Sequence, residues 1–285
     1  MEKTHLPFHA ALKPFVRYCT LKKIPMKEGE RVTNRTHADL WPSILVSLGP
    51  DIRRVRPGGA RTVIPRVAAF GVGQLPDEVE FLPGHQHLTF SFFPGKALPF
   101  FGAALSEFTD RSIPLRECWG LEGRDLEERI AGMRSPGMIK TAIEQELLRR
   151  LGDSAGTPGG VLESVRAGIA SKGRAPVRDL AAAAGCSPEH LKRLFRHWVG
   201  LTPKVFTRII RFQALCDSLT PAEKPNWAGL SYDFGYSHQS HLIRDFQSFA
   251  GDSPARFYEA VVLPAAGDTA LKAFQPDSFP FHAAA

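Results

Sequence analysis

The chain has 285 residues, 43% of them hydrophobic and 23% charged, with a net charge of +7 and an isoelectric point near 9.4. This is the composition of a folded protein with apolar residues enough for two domains, and it excludes a disordered or collagen-like chain. No apolar run reaches the roughly 18 residues of a membrane helix, no signal-peptide h-region follows Met1, and four scattered cysteines (Cys19, Cys118, Cys186, Cys216) form no Cys-x-x-Cys pair, so a soluble, cytoplasmic, reduced protein is expected.

In chain order, Leu12–Cys19 reads as a short strand or entry segment. Short apolar runs follow, at 43–48, 62–64, 67–72, 79–82 and 87–93, separated by Gly49-Pro50, Pro57-Gly58-Gly59, Pro76-Asp77, Pro83-Gly84 and Pro94-Gly95. Strand-like runs at this spacing predict a sheet, sandwich or small barrel. The last run alternates, with Leu88, Phe90 and Phe92 on one face and Thr89 and Ser91 on the other, which predicts a half-buried strand. After Pro99 the pattern turns helical, and Ile139, Ala142, Ile143, Glu146, Leu147 and Leu151 trace a helix stripe. Residues 1–151 therefore read as a β-rich, cupin-like domain with helices.

His85-Gln86-His87 is the one candidate metal pair in this half. Two imidazoles on one strand face suit a cupin-type site. A carboxylate about four residues on is lacking, since position 91 is Ser, so the pair reads as surface histidines flanking a turn and no metal is expected.

Residues 152–160 (Gly-Asp-Ser-Ala-Gly-Thr-Pro-Gly-Gly) read as a linker. A helix is expected over Val161–Ser171, then a second over Val177–Ala184. Gly185 sits where a sharp turn needs positive φ. Ser187 reads as an N-cap, Pro188 as the first helical residue, and Leu191, Leu194, Phe195 and Trp198 as the buried stripe of a helix over Pro188–Val199. Helix, glycine turn and capped helix together are the helix-turn-helix signature. The pattern then repeats 50 residues on: Asn226–Phe234, Gly235, Ser237 as a cap, and a helix over His238–Ala250.

Between the copies Thr202 caps a helix to about Leu219, with Phe206, Ile209, Ile210, Ala214 and Leu215 inward and Lys204, Arg208 and Arg211 outward. About 16 residues span roughly 24 Å, a length suited to holding two recognition helices near one turn of DNA apart. From Ser187 to Arg211 six basic residues face a single acid, Glu189. Such a concentration on a helix-turn-helix points to phosphate.

Residues 177–257 resemble the double helix-turn-helix domain of the AraC/XylS family of transcriptional regulators. The resemblance rests on Leu180-Ala181, Gly185, Ser187-Pro188, Leu191-x-Arg193-x-Phe195, Gly200-x-x-Pro203 and Arg211. It continues in Phe234-Gly-Tyr-Ser237, Gln239-Ser240, Arg244-x-Phe246, Gly251-x-Ser-Pro254 and Phe257. In the first half, Leu12-Lys-Pro14-Phe, Phe93-Pro94-Gly95, Thr109-Asp110-Arg111 and Pro114-Leu115…Trp119-Gly120 resemble the sensor-like domain of one subgroup.

The resemblance implies base-reading positions at Glu189, Lys192 and Arg193, with Arg196 on phosphate, and in the second unit at Gln239, Ser240 and Arg244, with His241 near. Two departures stand out: Gln247 replaces a usual basic residue, and His241-Leu242 replaces an aromatic pair. With Asp245 in the same helix, the second head is expected to add less affinity than the first.

The expected protein is a two-domain α+β regulator: a β-rich sensor or dimerisation domain (1–151), a linker (152–160), an all-α domain with two helix-turn-helix units joined by a long helix (161–262), and a tail (263–285). The resemblance implies promoter DNA as partner, an activator touching RNA polymerase, and a first domain that senses a small-molecule effector, mediates a homodimer, or both. No enzyme activity, cofactor or membrane contact is expected. The competing readings are a metal-dependent cupin-type enzyme fused to a DNA-binding domain, and a repair fusion with a reactive cysteine, which needs a zinc site that the scattered cysteines do not supply.

Overall fold

The computed structural model describes residues 2–27, 30, 32–55, 60–152 and 156–263. The first half is built on two sheets. One has six antiparallel strands: β1 (Glu2–Leu6), β2 (Val16–Lys23), β4 (Ser43–Ser47), β7 (Val67–Phe70), β9 (Gln86–Phe92) and β10 (Ser112–Pro114), in the spatial order β1-β2-β9-β4-β7-β10. The other has the order β3-β8-β5-β6, from β3 (Val32–Thr36), β5 (Arg53–Val55), β6 (Arg61–Val63) and β8 (Asp77–Phe81).

Alternation along the strands gives the large sheet two chemically different faces. Cys19, Ile44, Val46, Val67, Ala69, Leu88, Phe90 and Phe92 share one buried core with Phe100, Phe101, Trp119, Ile130, Ile139, Ile143 and Leu147. The latter group comes from the helices α1 (Leu98–Phe101), α2 (Leu115–Ala131) and α3 (Pro136–Gly152). On the other face Ala68, Leu45 and Phe70 pack with Ile24, Ile52, Ile64, Phe81 and Val79 of the small sheet and its flanks. Toward β1 that same face turns polar. The β2–β9 register sets Tyr18 opposite Ser91, Thr20 opposite Thr89 and Lys22 opposite His87.

Three expectations need correction here. The strand β9 is buried on both faces, because Leu88, Phe90 and Phe92 meet the helices while His87 and Ser91 are also covered, at 5% and 1% exposure. The chain does not enter by a strand at Leu12: Ala10–Leu12 is a 3-10 turn, and β2 starts at Val16. His85 and His87 are not surface histidines. His85 is 0% exposed, its Nδ1 lies 2.8 Å from Pro50 O and its Nε2 3.0 Å from His87 Nδ1, and His87 stacks on Phe81. Burial lowers the pKa of both.

The second half is helical: α4 (Gly159–Ala170), α5 (Val177–Ala183), α6 (Pro188–Trp198), α7 (Pro203–Ser218), α8 (Trp227–Asp233), α9 (Gln239–Ala250) and α10 (Pro254–Phe257). Its core gathers Val161, Leu180, Leu191, Phe195, Phe206, Ile210, Phe212, Leu215, Leu242, Phe246, Phe249 and Phe257. Three residues of the first half, Ala38, Leu40 and Val72, belong to this same core. Ala38 N–H donates to Phe249 O at 2.9 Å and Gln213 Nε2 donates to Ala38 O at 2.9 Å, so this one peptide segment bonds both α7 and α9. Thr109 Oγ1 donates to Gly200 O at 2.8 Å, and Arg35 pairs with Asp252 at 2.6 Å. Of the expected linker, residues 153–155 lie outside the described residues, while Thr157 Oγ1 donates to Gly95 O at 2.7 Å. Of the expected tail, only Leu263 is described.

Candidate nucleic-acid interface

The two units are closed by the same turn. In the first, Gly185 N–H donates to Ala182 O and Cys186 N–H to Ala181 O, at 3.0 and 3.1 Å; in the second, Gly235 N–H donates to Tyr232 O and Tyr236 N–H to Ser231 O, at 3.0 and 2.8 Å. This pair of bonds satisfies the last carbonyls of the first helix and needs a left-handed residue. The glycines supply it, with φ of 65° at Gly185 and 71° at Gly235.

The caps then diverge. Ser187 accepts from His190 N–H at 3.3 Å and starts α6. In the second unit Ser237 is not the cap. One extra residue follows the turn, His238 takes the cap position without a side-chain bond, and Ser237 Oγ lies 3.3 Å from His241 Nδ1. From there the helices align at an offset of 51, Leu191 with Leu242 and Phe195 with Phe246, all four fully buried.

On α6 the buried residues are Leu191 and Phe195, and Phe195 meets Phe206 of α7 edge-on at 5.4 Å. The opposite face exposes Glu189, Lys192, Arg193 and Arg196, which recur at i, i+3, i+4 and i+7 and so form one line along the helix. Lys192 Nζ lies 3.7 Å from Glu189 and Arg193 Nη2 lies 3.1 Å from His190 Nδ1. These are exposed contacts within one helix, of a kind worth little in water and readily exchanged for a ligand.

On α9 Gln239, Ser240, Arg244 and Gln247 are exposed and His241 is half-buried. The offset makes Ser240, Ile243, Arg244 and Gln247 the counterparts of Glu189, Lys192, Arg193 and Arg196. Arg244 Nε donates back to Ser240 O at 3.3 Å. His241 meets Tyr236 edge-on at 5.4 Å, and its imidazole pKa is lowered, first by burial and then, against the pull of Asp245, by Arg211, Arg208 and Arg244.

Three charges read from the sequence as outward or as part of the DNA face turn inward. Asp245 is 0% exposed, because it falls in the buried stripe with Leu242, Phe246 and Phe249. It accepts from Arg208 Nη2 at 2.6 Å and Nε at 3.1 Å. Arg211 Nη2 donates to Gly173 O at 2.8 Å, and its guanidinium lies 5.2 Å from the Tyr236 ring centre. Two of the six basic residues between Ser187 and Arg211 are thus tied to neighbouring elements, and Lys192, Arg193, Arg196 and Lys204 stay exposed. The sequence pattern did not single out Arg178 in α5, which is 84% exposed beside Asp179 on the helix that precedes the recognition helix.

Among the described residues no group of three or more His, Cys, Asp or Glu is arranged to hold a metal ion, and no helix is long and apolar enough to cross a membrane.

Residues 180–260 match the family described as "Helix-turn-helix domain". No curated protein sequence matches the chain significantly. Among solved structures the chain is similar to ToxT from Vibrio cholerae, with 10% identity over 84% of this chain and 97% of that one and a TM-score of 0.44. The same figures with a TM-score of 0.43 describe ToxT bound to (E)-4-(8-methylnaphthalen-1-yl)but-3-enoic acid. The catabolite activator protein of Thermus thermophilus matches with 15% identity over 70% of this chain and 91% of that one, at a TM-score of 0.19. With the duplicated turn, the buried stripes and the family match on the same residues, the chain carries a helix-turn-helix domain at 180–260.

Proposed function

We propose that the protein reads promoter DNA sequence-specifically with α6 and α9, and that α6 supplies most of the affinity. The carrying observation is the exposed line Glu189, Lys192, Arg193 and Arg196. In this reading Arg193 makes a bidentate contact with guanine O6 and N7, Glu189 accepts from cytosine N4, Lys192 approaches a base edge and Arg196 neutralises a phosphate. In the second head Gln239 pairs with adenine, Ser240 and His241 face the groove wall, and Arg244 repeats the role of Arg193. With Gln247 where α6 has Arg196, α9 attracts the backbone less and tunes site choice.

The test is Arg193→Ala on a duplex selected by the full chain from random sequence. Binding should weaken by about 1–3 kcal/mol, with discrimination lost at one base position. An equal loss on every sequence would reduce Arg193 to a phosphate contact.

For the first half we propose effector sensing, homodimerisation, or both, with activation through contact with RNA polymerase. The support for sensing is the polar end of the large sheet, where Thr20 is 0% exposed and its Oγ1 has no hydrogen-bond partner among the described residues. Burial, with Lys3 beside it, brings the Lys22 ammonium down to about 8. A metabolite that raises the melting temperature of the wild type but not of Thr20→Val would support this site. The proposed boundaries remain 1–151, 152–160 and 161–262, with the segment at Ala38–Leu40 reaching across them into the second core.

A further inference from the structure

We propose that Arg208 and Asp245 are positioning residues that set the phase between the two recognition helices, and so fix the half-site spacing the protein accepts. The proposal rests on the two-headed reading above.

The connection from α6 to α7 is short and packed: Val199, Gly200, Leu201 and Thr202 separate them, Val199 and Leu201 are buried, and Phe195 meets Phe206. The attachment of α9 to α7 is different. Besides the Ala38 peptide, which bonds Gln213 and, at the C-terminal end of α9, Phe249, it includes aromatic contacts from Phe212 to Phe246 and Phe249, at 5.0 and 5.6 Å, and the Arg208–Asp245 pair. Ring contacts tolerate a small rotation of a helix about its axis, since an edge-to-face pair holds over a range of centroid distances of about 4.5–7 Å. Two nitrogens of one guanidinium on one carboxylate oxygen, at 2.6 and 3.1 Å, do not. Asp245 follows Arg244 directly, so any rotation that Asp245 resists is a rotation of the Arg244 side chain across the DNA.

The first unit shows that the fold does not need an acid here. At the 51-residue offset Asp245 corresponds to Leu194, a half-buried apolar residue packed on the same core. A buried ion pair is a poor net stabiliser, because desolvation offsets most of its attraction, and its best attested use is to specify register. The guanidinium of Arg208 also lies over Phe249, 5.0 Å from the ring centre, a second contact that holds it against α9. His241, one turn before Asp245, stands with Nε2 at 4.0 Å from the same Oδ1. The seam thus carries charge and direction at the position where the first unit has the apolar Leu194.

The experiment compares the full-length wild type with the double variant Arg208→Met/Asp245→Leu, using a duplex selected by the wild type and the same duplex with one base pair inserted between the half-sites. One inserted pair turns the second half-site by about a tenth of a helical turn. The wild type should lose about tenfold or more in affinity on the insertion, the scale of one mismatched contact. The double variant should bind the original duplex within about threefold of wild type and lose less than threefold on the insertion. A double variant that keeps the wild-type insertion loss overturns the proposal, as does one that loses binding to both duplexes alike while its helical content is unchanged. If the double variant does not fold, Asp245→Asn carries the same comparison, and an unchanged insertion loss there overturns it too. A wild type indifferent to the insertion refutes the two-headed reading itself, and the proposal with it.

Discussion

The Leu40→Ala substitution tests whether the first half of the chain completes the core of the DNA-binding half. Leu40 is 1% exposed and sits, with Ala38 and Val72, in the core otherwise made by residues 161–257. Removing a fully buried leucine side chain costs about 2–5 kcal/mol. Taking about 3 kcal/mol, and 2–4 °C per kcal/mol for a chain of this size, the melting temperature should fall by roughly 6–12 °C. The location of the loss matters more than its size. Ala38 N–H donates to Phe249 O and Ala38 O accepts from Gln213 Nε2, so the disturbance should travel into α7 and α9. Hydrogen exchange read by mass spectrometry should show amides of 203–218 and 239–250 exchanging up to roughly a hundredfold faster, the equivalent of that free energy if they open through this core. If protection is lost only in β4 and β9, with α7 and α9 unchanged, Leu40 serves the sheet alone and the shared core is wrong.

Four further substitutions address the caps and the acid side of stability. Ser187→Ala should destabilise α6 by about 1 kcal/mol and Thr202→Ala α7 by a similar amount, since each oxygen accepts a backbone N–H at 3.3 Å, whereas Ser237→Ala should cost less because Ser237 caps nothing; chemical denaturation of the three variants decides it. His37 meets Phe257 edge-on, and burial, then Arg35, pushes its imidazole down to about 4. The unfolded chain takes up that proton near pH 6.5 while the folded one does not, so this group favours folding above that pH and its contribution is lost as pH falls from about 6.5 toward 4. The wild type should lose up to about 1.4 kcal/mol per pH unit more than His37→Phe across that window; parallel pH profiles would show that His37 does not titrate this way.

How much of this was legible in the sequence depended on whether the cause was local. The helix-turn-helix units were, because a left-handed glycine and a 3.6-residue apolar stripe are each set within a few residues; the capping serine was legible at Ser187 but not in the second unit, where the extra residue moves the cap from Ser237 to His238. Helix α6 ends one residue before its expected limit. The strands β3 (VTNRT) and β5 (RRV) carry little apolar pattern, because each answers to the partner β8 rather than to a buried face of its own. The orientation of Asp245 was hidden for a similar reason: its helical position marks it as inward, but its charge argues outward until Arg208, 37 residues earlier, supplies the partner. His85 and His87 looked like turn residues because their cover, Phe81 and Pro50, comes from other segments. The plug at Ala38 and Leu40 is a contact between halves of the chain, for which no periodicity exists. Of the proposed base-reading residues, the α6 set could be placed on one face from spacing alone. The α9 set needed the extra residue after Gly235 to be located before Arg244 and Gln247 could be matched to Arg193 and Arg196.

The most direct test of the central claim is a hydroxyl-radical footprint of the full chain on a duplex it has selected from random sequence. Two recognition helices joined by a 16-residue α7 should protect two tracts on the same face of the DNA, centred about one helical turn (10–10.5 base pairs) apart, and Arg193→Ala should weaken the stronger one. A single protected tract of one half-site, or two tracts on opposite faces, would contradict it.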